Sequence, residues 1–432
     1  MFAPENRWGF FPSASAGWLI SNEPFFNSNF FEVLKLRGSI GMLGNDAVGA
    51  FQWLQNYSLG TGAAFDGVTT SLREGTLANR DITWEKSVNY NAGFDATFWK
   101  KMMNLKMDMF YRHTYDILET RIRSIPTTFG ASLPDENYAE VNAKGFEIEL
   151  SYNNTIGSGA NQVSYFVSGN FGYATNELVA YDEAEGIRPH LSRLGLPIGA
   201  HNTLGLRAKD VLRTQADVDA LPDGYTIYIN RFGNMAPQVG LLDYEDIRGT
   251  YGVDDPDGRI TLDDQEFLGK HVYPPMTYGM SLGASWKQLS FDVLLQGNGG
   301  HSAMLHANAR RVQGRAEEST YAFWADRWRP SDPNGKYPAA LRFGWPPTDF
   351  PASSLFFRNM TFLRLKAVNL SYNLPTDLTS RLKIGGLRIF YSGTNLGLIF
   401  DHIKDWGYDP EMNNIRAYPI MATHSLGLSL TL

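Results

Sequence analysis

Ser87-Val88-Asn89-Tyr90-Asn91-Ala92-Gly93-Phe94-Asp95-Ala96-Thr97-Phe98 alternates without a break. Val88, Tyr90, Ala92, Phe94, Ala96 and Phe98 fall on one side; Ser87, Asn89, Asn91, Gly93, Asp95 and Thr97 fall on the other. Successive side chains of a β-strand point to opposite faces, so this is a strand with one apolar and one wet face. It is long enough to cross a bilayer at a tilt, which takes about 9–11 residues.

The same rule holds along much of the chain. Leu105, Met107, Met109 and Tyr111 alternate with Lys106, Asp108, Phe110 and Arg112, and Phe146, Ile148, Leu150 and Tyr152 with Glu147, Glu149 and Ser151. Runs over 163–173, 277–286 and 289–296 repeat it, and in all of these the second set, Phe110, Phe166 and Leu294 apart, is polar or small. Lys287-Gln288 joins two runs and is short enough for a hairpin. Less regular runs near 13–20, 33–43, 51–59, 363–372 and 387–395 bring the expectation to roughly a dozen strands. In the 363–372 run the phase slips near Ala367, which predicts a bulge. The chain closes on His424-Ser425-Leu426-Gly427-Leu428-Ser429-Leu430-Thr431-Leu432, alternating to the last residue. A barrel removes such an edge by pairing its last strand with its first. The expected fold class is all-β, an antiparallel transmembrane β-barrel.

Composition agrees. Of 432 residues, 43% are hydrophobic, and the mean hydropathy is −0.28. No stretch approaches the roughly 18 apolar residues of a spanning helix. A transmembrane barrel hides half of each strand from lipid, so its mean hydropathy looks soluble while its period does not. A large soluble β-sandwich fits the composition as well, and only the period separates the two. Aromatic residues make up 13% of the chain, which suits interfacial girdles. Cysteine is absent, which excludes disulfides, thiolate metal sites and a cysteine nucleophile. A net charge of −7 without a basic stripe argues against a nucleic-acid partner. The opening MFAPENRWGFFPSASAGW has neither a basic region nor an apolar core for export, so Met1 is expected to begin a fragment.

Connections are asymmetric. Lys287-Gln288 and the 99–104 connection are short, whereas segments at about 181–275 and 298–358 are long; short turns on one side and long loops on the other is the outer-membrane arrangement. The second long segment contains HSAMLHANARRVQGRAEESTYAFWADRW, whose Ala, Arg, Glu and Gln content favours a helix. Trp324, Trp328, Trp345, Phe350, Phe356 and Phe357 cluster in or just after it, as ligand or partner contacts that stack on sugars or dock a protein, or as packing of the loop against the barrel mouth.

Several stretches resemble one family, the SusC/RagA-type TonB-dependent outer-membrane transporters. They are Phe2-Ala3-Pro4-Glu5-Asn6-Arg7-Trp8-Gly9-Phe10-Phe11-Pro12-Ser13 with Gly17-Trp18, then Leu34-Lys35-Leu36-Arg37-Gly38-Ser39-Ile40-Gly41 with Gly44-Asn45-Asp46, and Thr83-Trp84-Glu85-Lys86-Ser87. Asn142-Ala143-Lys144-Gly145-Phe146-Glu147, Leu196-Pro197-Ile198-Gly199 and Gly407-Tyr408-Asp409-Pro410-Glu411 follow in the family's order. The resemblance implies that residues 1–432 are the C-terminal portion of a plugged barrel of about 22 strands, without its TonB box, plug and first strands. It implies the outer membrane of a Gram-negative bacterium, a SusD-like surface lipoprotein as lid, and energy from the TonB complex acting on the missing plug. The cargo it implies is an oligosaccharide or peptide caught in the extracellular loops, with 302–329 the expected lid contact. Family members usually end in Phe, whereas this chain ends in Leu432.

Asp254-Asp255-Pro256-Asp257-Gly258-Arg259-Ile260-Thr261-Leu262-Asp263-Asp264 resembles a calcium loop, and the family carries a similar Asp-rich segment. Aligning Gly258 with the loop glycine puts Asp255, Asp257 and Asp264 at Ca2+ ligand positions, but Val253 falls where the first Asp belongs. A solvated acidic turn is the alternative. No enzyme site stands out: the histidines are scattered, and no HExxH, Walker loop or nucleophile elbow is present. Glu147 and Glu149 share the polar face of a strand, where lumen lining is the simpler account than a catalytic pair. Two rival expectations remain, a passive porin-like channel and a surface-binding barrel without throughput.

Overall fold

The computed structural model describes residues 2–62, 70–121, 130–230, 233–310, 320–340, 350–412 and 418–432. Eleven long strands follow one another in a single sheet whose spatial order is the sequence order. They are β1 (Ser13–Leu19), β2 (Phe31–Asn45), β3 (Glu85–Phe98), β4 (Met103–Thr120), β5 (Asp135–Ile156), β6 (Val163–Ala180), β7 (Met276–Trp286), β8 (Leu289–Gly299), β9 (Phe362–Asn373), β10 (Gly386–Asp401) and β11 (Thr423–Thr431). Among the described residues no helix is long and apolar enough to cross a membrane. The sheet is an antiparallel meander, as the alternation predicts.

The connections divide by length in strict alternation. Residues 20–30, 99–102, 157–162, 287–288 and 374–385 make the shorter set; 46–84, 121–134, 181–275, 300–361 and 402–422 make the longer. Because each strand reverses direction, one end of the sheet carries every long loop. Lys287 opens the two-residue turn with φ 55°, the left-handed conformation that a tight hairpin needs at its first position.

The chain separates into two compact units: 1–148 with 174–198, and 149–173 with 199–432. In the first, register aligns apolar residues in rows across three strands: Leu36, Phe94 and Met107 are neighbours, as are Ile40, Tyr90 and Tyr111. Tyr90 and Ile40 remain 48% and 47% exposed, so among the described residues nothing covers them. The opposite face holds charge. Arg37 on β2 reaches across β3 to pair with Asp108 on β4 and bonds Asp95 at 3.3 Å. Gly93 lies directly between Arg37 and Asp108 in the register, and a Cβ there would sit 2.7 Å from the Asp108 carboxylate.

The second unit repeats the division. Ala284, Phe291, Leu370, Tyr391 and Leu426 form one row and Trp286, Leu289, Tyr372, Ile389 and Leu428 another. On the other face the Asn369 amide donates to Asp292 at 2.8 Å, and the Ser392 hydroxyl donates to Asn369 at 2.7 Å. The expected bulge is present, since Leu294 pairs with Ala367 and Leu295 with Leu365, leaving Lys366 extra.

Two expectations need correction. Residues 51–59 do not add a strand to the sheet: only Tyr57–Thr61 is extended, and it pairs with Thr70–Glu74 in a separate ribbon. Nor do the described parts of 301–328 form an α-helix; Ser302–Met304 is a strand and Ala307–Arg310 and Ala322–Asp326 are single 3₁₀ turns. Helix propensity there yields to burial of Leu305, Ala309, Phe323 and Trp324 from separate turns.

Candidate functional site

The buried core of the second unit lies in the long loops. One cluster joins Leu206, Val211, Leu212, Tyr225, Ile227, Leu241, Leu242, Tyr244 and Ile260 from 181–275. Its polar insert is the Tyr225 hydroxyl, which donates to the buried Asp243 carboxylate at 3.0 Å. Burial, then the charge of Asp243, pushes the Tyr225 phenol up and keeps it protonated. A second cluster gathers Leu305, Phe323, Trp324, Tyr337, Phe350, Phe356 and Met360 from 300–361 with Ile403 and Trp406 from 402–422. The Ser302–Met304 and Phe357–Asn359 strands pair to close the base of that loop.

The aromatic residues singled out above are now placed. Trp324, Phe350 and Phe356 are interior to the second cluster, with ring centroids 5.8 Å apart for Trp324 and Phe350 and 5.9 Å for Trp324 and Phe356. The Trp324 indole donates to the Ala309 carbonyl at 2.8 Å, so its polar edge is also satisfied. Trp328 packs against the first cluster and donates to the Arg213 carbonyl at 3.1 Å. Phe357 is half-buried and lies where a side chain on Gly269 would otherwise stand. Trp345 lies outside the described residues.

What opens to solvent beside the second cluster is a cavity of about 680 Å3 walled by three loops. The 300–361 loop supplies His301, Met304, His306, Arg310 and Met360, the 402–422 loop Tyr408, Pro410, Glu411 and Met412, and the 181–275 loop Tyr273 and Pro274. The far wall is fixed by Arg364 of β9, only 3% exposed, which pairs with Asp409 and meets Glu411 at 2.7 Å. Burying a guanidinium is tolerable only with such partners, so this triad ties Gly407-Tyr408-Asp409-Pro410-Glu411 to the sheet. Burial holds the His301 imidazole below its usual pKa and pushes the Tyr408 phenol above its own; both are neutral at pH 7. Sequence reasoning picked out Gly407 to Glu411 as a family stretch but not as a cavity wall. Nothing in its spacing tells that the partner is an arginine on a strand.

The acidic loop does not fit a calcium site. Asp264 is buried, and its carboxylate accepts from the Ile247, Arg248 and Thr261 amides at 3.0, 2.9 and 2.7 Å. Asp257 accepts from the Thr250 and Arg259 amides, each at 3.0 Å. Asp255 is exposed, and Val253 brings no side-chain oxygen where the first ligand belongs, its carbonyl already accepting from the Gly249 and Asp255 amides. Asp246, which the sequence pattern does not include, accepts from the Gly258 amide at 2.7 Å; burial pushes its carboxyl up, and neighbouring Asp264 adds to this. Among the described residues no group of three or more His, Cys, Asp or Glu is placed to hold a metal.

With this geometry in hand, similarity to known proteins can be stated. The family described as "TonB dependent receptor-like, beta-barrel" matches residues 2–228. TonB-dependent receptor P26 of Formosa agariphila is 27% identical over 453 residues, covering 100% of this chain and 43% of that protein. TonB-dependent receptor SusC of Bacteroides thetaiotaomicron is 33% identical over 172 residues, 36% of this chain and 17% of that protein. The RagAB peptide importer in its open-open state superposes with a TM-score of 0.75 at 21% identity, over 100% of this chain and 44% of that one, a likeness of fold. The chain thus spans less than half the length of these relatives.

Proposed function

Because this chain belongs to the TonB-dependent receptor-like β-barrel family, we propose that it supplies wall strands and outer loops to a SusC-like importer of oligosaccharides or peptides in the outer membrane of a Gram-negative bacterium. The family is one of transporters and receptors rather than of enzymes. The observation that supports the proposal most is the division of the sheet into an exposed apolar face and a charged, hydrogen-bonded face. An apolar area of that extent suits lipid and does not suit water. The eleven strands would form part of the wall, with the rest of a protein of the relatives' length completing it and supplying the plug on which TonB acts.

In this proposal the long-loop end faces outward and receives cargo, and a SusD-like lipoprotein covers it. Similarity to SusC and to RagAB supports that partner. Trp324, Phe350 and Phe356 would then act from within, holding the loops in shape, while direct contacts fall to the cavity wall. Asp257 and Asp264 would close their loop through backbone amides, with Asp255 facing solvent.

Removing the gene in the source bacterium tests this. Loss of growth on oligosaccharide or on peptide as the limiting nutrient is expected, together with abolition of uptake by a protonophore. Uptake that persists without a proton gradient would instead support the passive channel. Unchanged growth and uptake on both nutrients would overturn import altogether.

A further inference from the structure

Resting on the membrane reading, the short-turn edge of the sheet offers a surface that import does not use. Among the described residues nine non-glycine positions have a positive φ, and four of them are lysines: Lys100 at 58°, Lys101 at 62°, Lys287 at 55° and Lys383 at 53°. All four stand in the shorter connections. The left-handed conformation is costly for an L-residue, and glycine avoids the cost. In the long loops that conformation falls mostly to glycine, as at Gly186, Gly240, Gly258, Gly300 and Gly407. Lysine is a poor choice for such a turn on backbone grounds, so what recommends it there is its charge.

In the second unit these charges border bare apolar surface. Trp286 and Leu289 flank the Lys287-Gln288 turn, both exposed, and the Lys287 ammonium lies 4.8 Å from the Trp286 ring centroid. The 374–385 connection is held beside this turn by the Asn373 amide, which donates to the Gln288 carbonyl at 2.9 Å. It contains a short helix, Thr376–Arg381. Thr379 is buried under that helix, while Leu378 and Leu382, four residues apart and so on one face, are 47% and 61% exposed. Arg381 and Lys383 bracket Leu382, both exposed and neither in an ion pair with a described residue. Against Lys287, Arg381 and Lys383 the two turns set one carboxylate side chain, Asp377. The first unit, taken by itself, repeats the combination: the exposed Trp99 leads directly into Lys100 and Lys101.

Bare leucines beside an indole, ringed by cations, are the composition of a segment that lies in a membrane interface, its apolar side among acyl chains and its cations among headgroups. The short turns of an outer-membrane barrel meet the inner leaflet. We propose that the 287–288 and 374–385 turns bind an anionic phospholipid, Lys287, Arg381 and Lys383 receiving the headgroup phosphate and Leu378, Leu382, Trp286 and Leu289 its acyl chains. Charge complementarity selects the headgroup: a zwitterionic one brings its own cation into a cationic site and gains less. The lipid in turn offsets the backbone cost of left-handed lysines, and it fixes the depth at which this end of the wall rests in the bilayer.

The test uses the full polypeptide containing this chain, with any other cysteine replaced by serine and Leu378→Cys carrying a bimane fluorophore, in phosphatidylcholine bilayers. Nitroxide-labelled phosphatidylglycerol or nitroxide-labelled phosphatidylcholine is then added at equal mole fraction as quencher. Phosphatidylglycerol should quench at least about twofold more strongly, and the excess should fall as salt rises. Lys287→Gln, Arg381→Gln and Lys383→Gln together should bring the two lipids to equality, while Lys287→Arg, Arg381→Lys and Lys383→Arg together should keep the preference. Lys383→Gly should weaken the preference without lowering the thermal unfolding midpoint, because the turn itself does not need the lysine. A lowered midpoint would give that lysine to the fold and overturn its role. Equal quenching by the two lipids with the charges intact, or a preference that survives the three glutamines, overturns the proposal and leaves the membrane wall standing. Equal quenching together with sedimentation of the protein on isolated peptidoglycan through the same three cations would hand the edge to a cell-wall polymer. Quenching by neither lipid overturns the proposal; a period-two pattern of lipid access along β3 would then keep the membrane wall, and its absence would remove both.

Discussion

Gly93 is the residue on which the first unit's charged face depends most. Arg37 crosses it to reach Asp108, and a Cβ would lie 2.6 Å from the Met107 carbonyl as well as 2.7 Å from Asp108 Oδ1. Backbone cannot give way as a flexible side chain can. Gly93→Ala should therefore cost about 1–3 kcal/mol, the usual penalty of overpacking, and lower the thermal unfolding midpoint. Gly159→Ala, in open space within a turn, should lose less and only through its positive φ. Equal midpoints for Gly93→Ala and the unaltered protein would contradict the crossing. A second residue-scale expectation concerns acid. His301 and His271 are both lowered by burial. Above about pH 6.5 folded and unfolded chains carry both rings neutral and nothing is lost. As pH falls below that value the unfolded chain takes up protons first, so stability declines towards the folded-state pKa values. His301→Gln should flatten this decline below about pH 6.5; an acid limb of unchanged slope would show that His301 does not contribute.

At the scale of elements, the strands were legible because a lipid-facing wall enforces period 2 over its whole length. Ser87 to Phe98, the Lys287-Gln288 hairpin and even the extra residue beside Ala367 follow from alternation alone. The loops were not legible in the same way. Their short strands, such as Ala208–Val211 with Leu242–Tyr244, bury side chains in cores assembled from distant segments, and no local period marks such a partner. That is also why the aromatic cluster was visible as a cluster while its burial was not: Trp324 and Phe356 adjoin the site, but as its support. The acidic loop illustrates a related limit. Its spacing resembles a calcium motif, yet the carboxylates of Asp257 and Asp264 are spent on amides from 247–250 and 259–261, contacts that a linear pattern does not contain. Hydrogen exchange at 246–264 should accordingly be the same in calcium and in chelator. Slower exchange with calcium would contradict this closure and restore the metal.

For the whole molecule, polarity is arranged inside out relative to a soluble protein. Residues of the sheet that would form a core in water are exposed, and the well-buried apolar clusters sit in the connections. Such a structure makes sense if lipid covers the sheet's apolar face and the loops stand clear of the bilayer as compact bodies with their own cores. Membrane placement therefore carries everything else: without it the exposed rows have no explanation and the cavity has no outside to face. These 432 residues contain no cysteine, so once any cysteine elsewhere in the full polypeptide is replaced by serine a direct measurement is possible. Single cysteines would be introduced in turn from Val88 to Thr97 of β3 in the full polypeptide, spin-labelled, and returned to lipid bilayers. Collision rates with oxygen, which concentrates in lipid, and with a water-soluble nickel chelate would then be compared along the strand. Labels at 88, 90, 92, 94 and 96 should collide with oxygen and escape nickel, while those at 89, 91, 95 and 97 should lose the oxygen excess, giving a period of two; Gly93 is left unlabelled because a side chain there would clash. Equal accessibility along the strand, or nickel access at Tyr90 and Phe94, would place the apolar face in water and contradict the membrane wall.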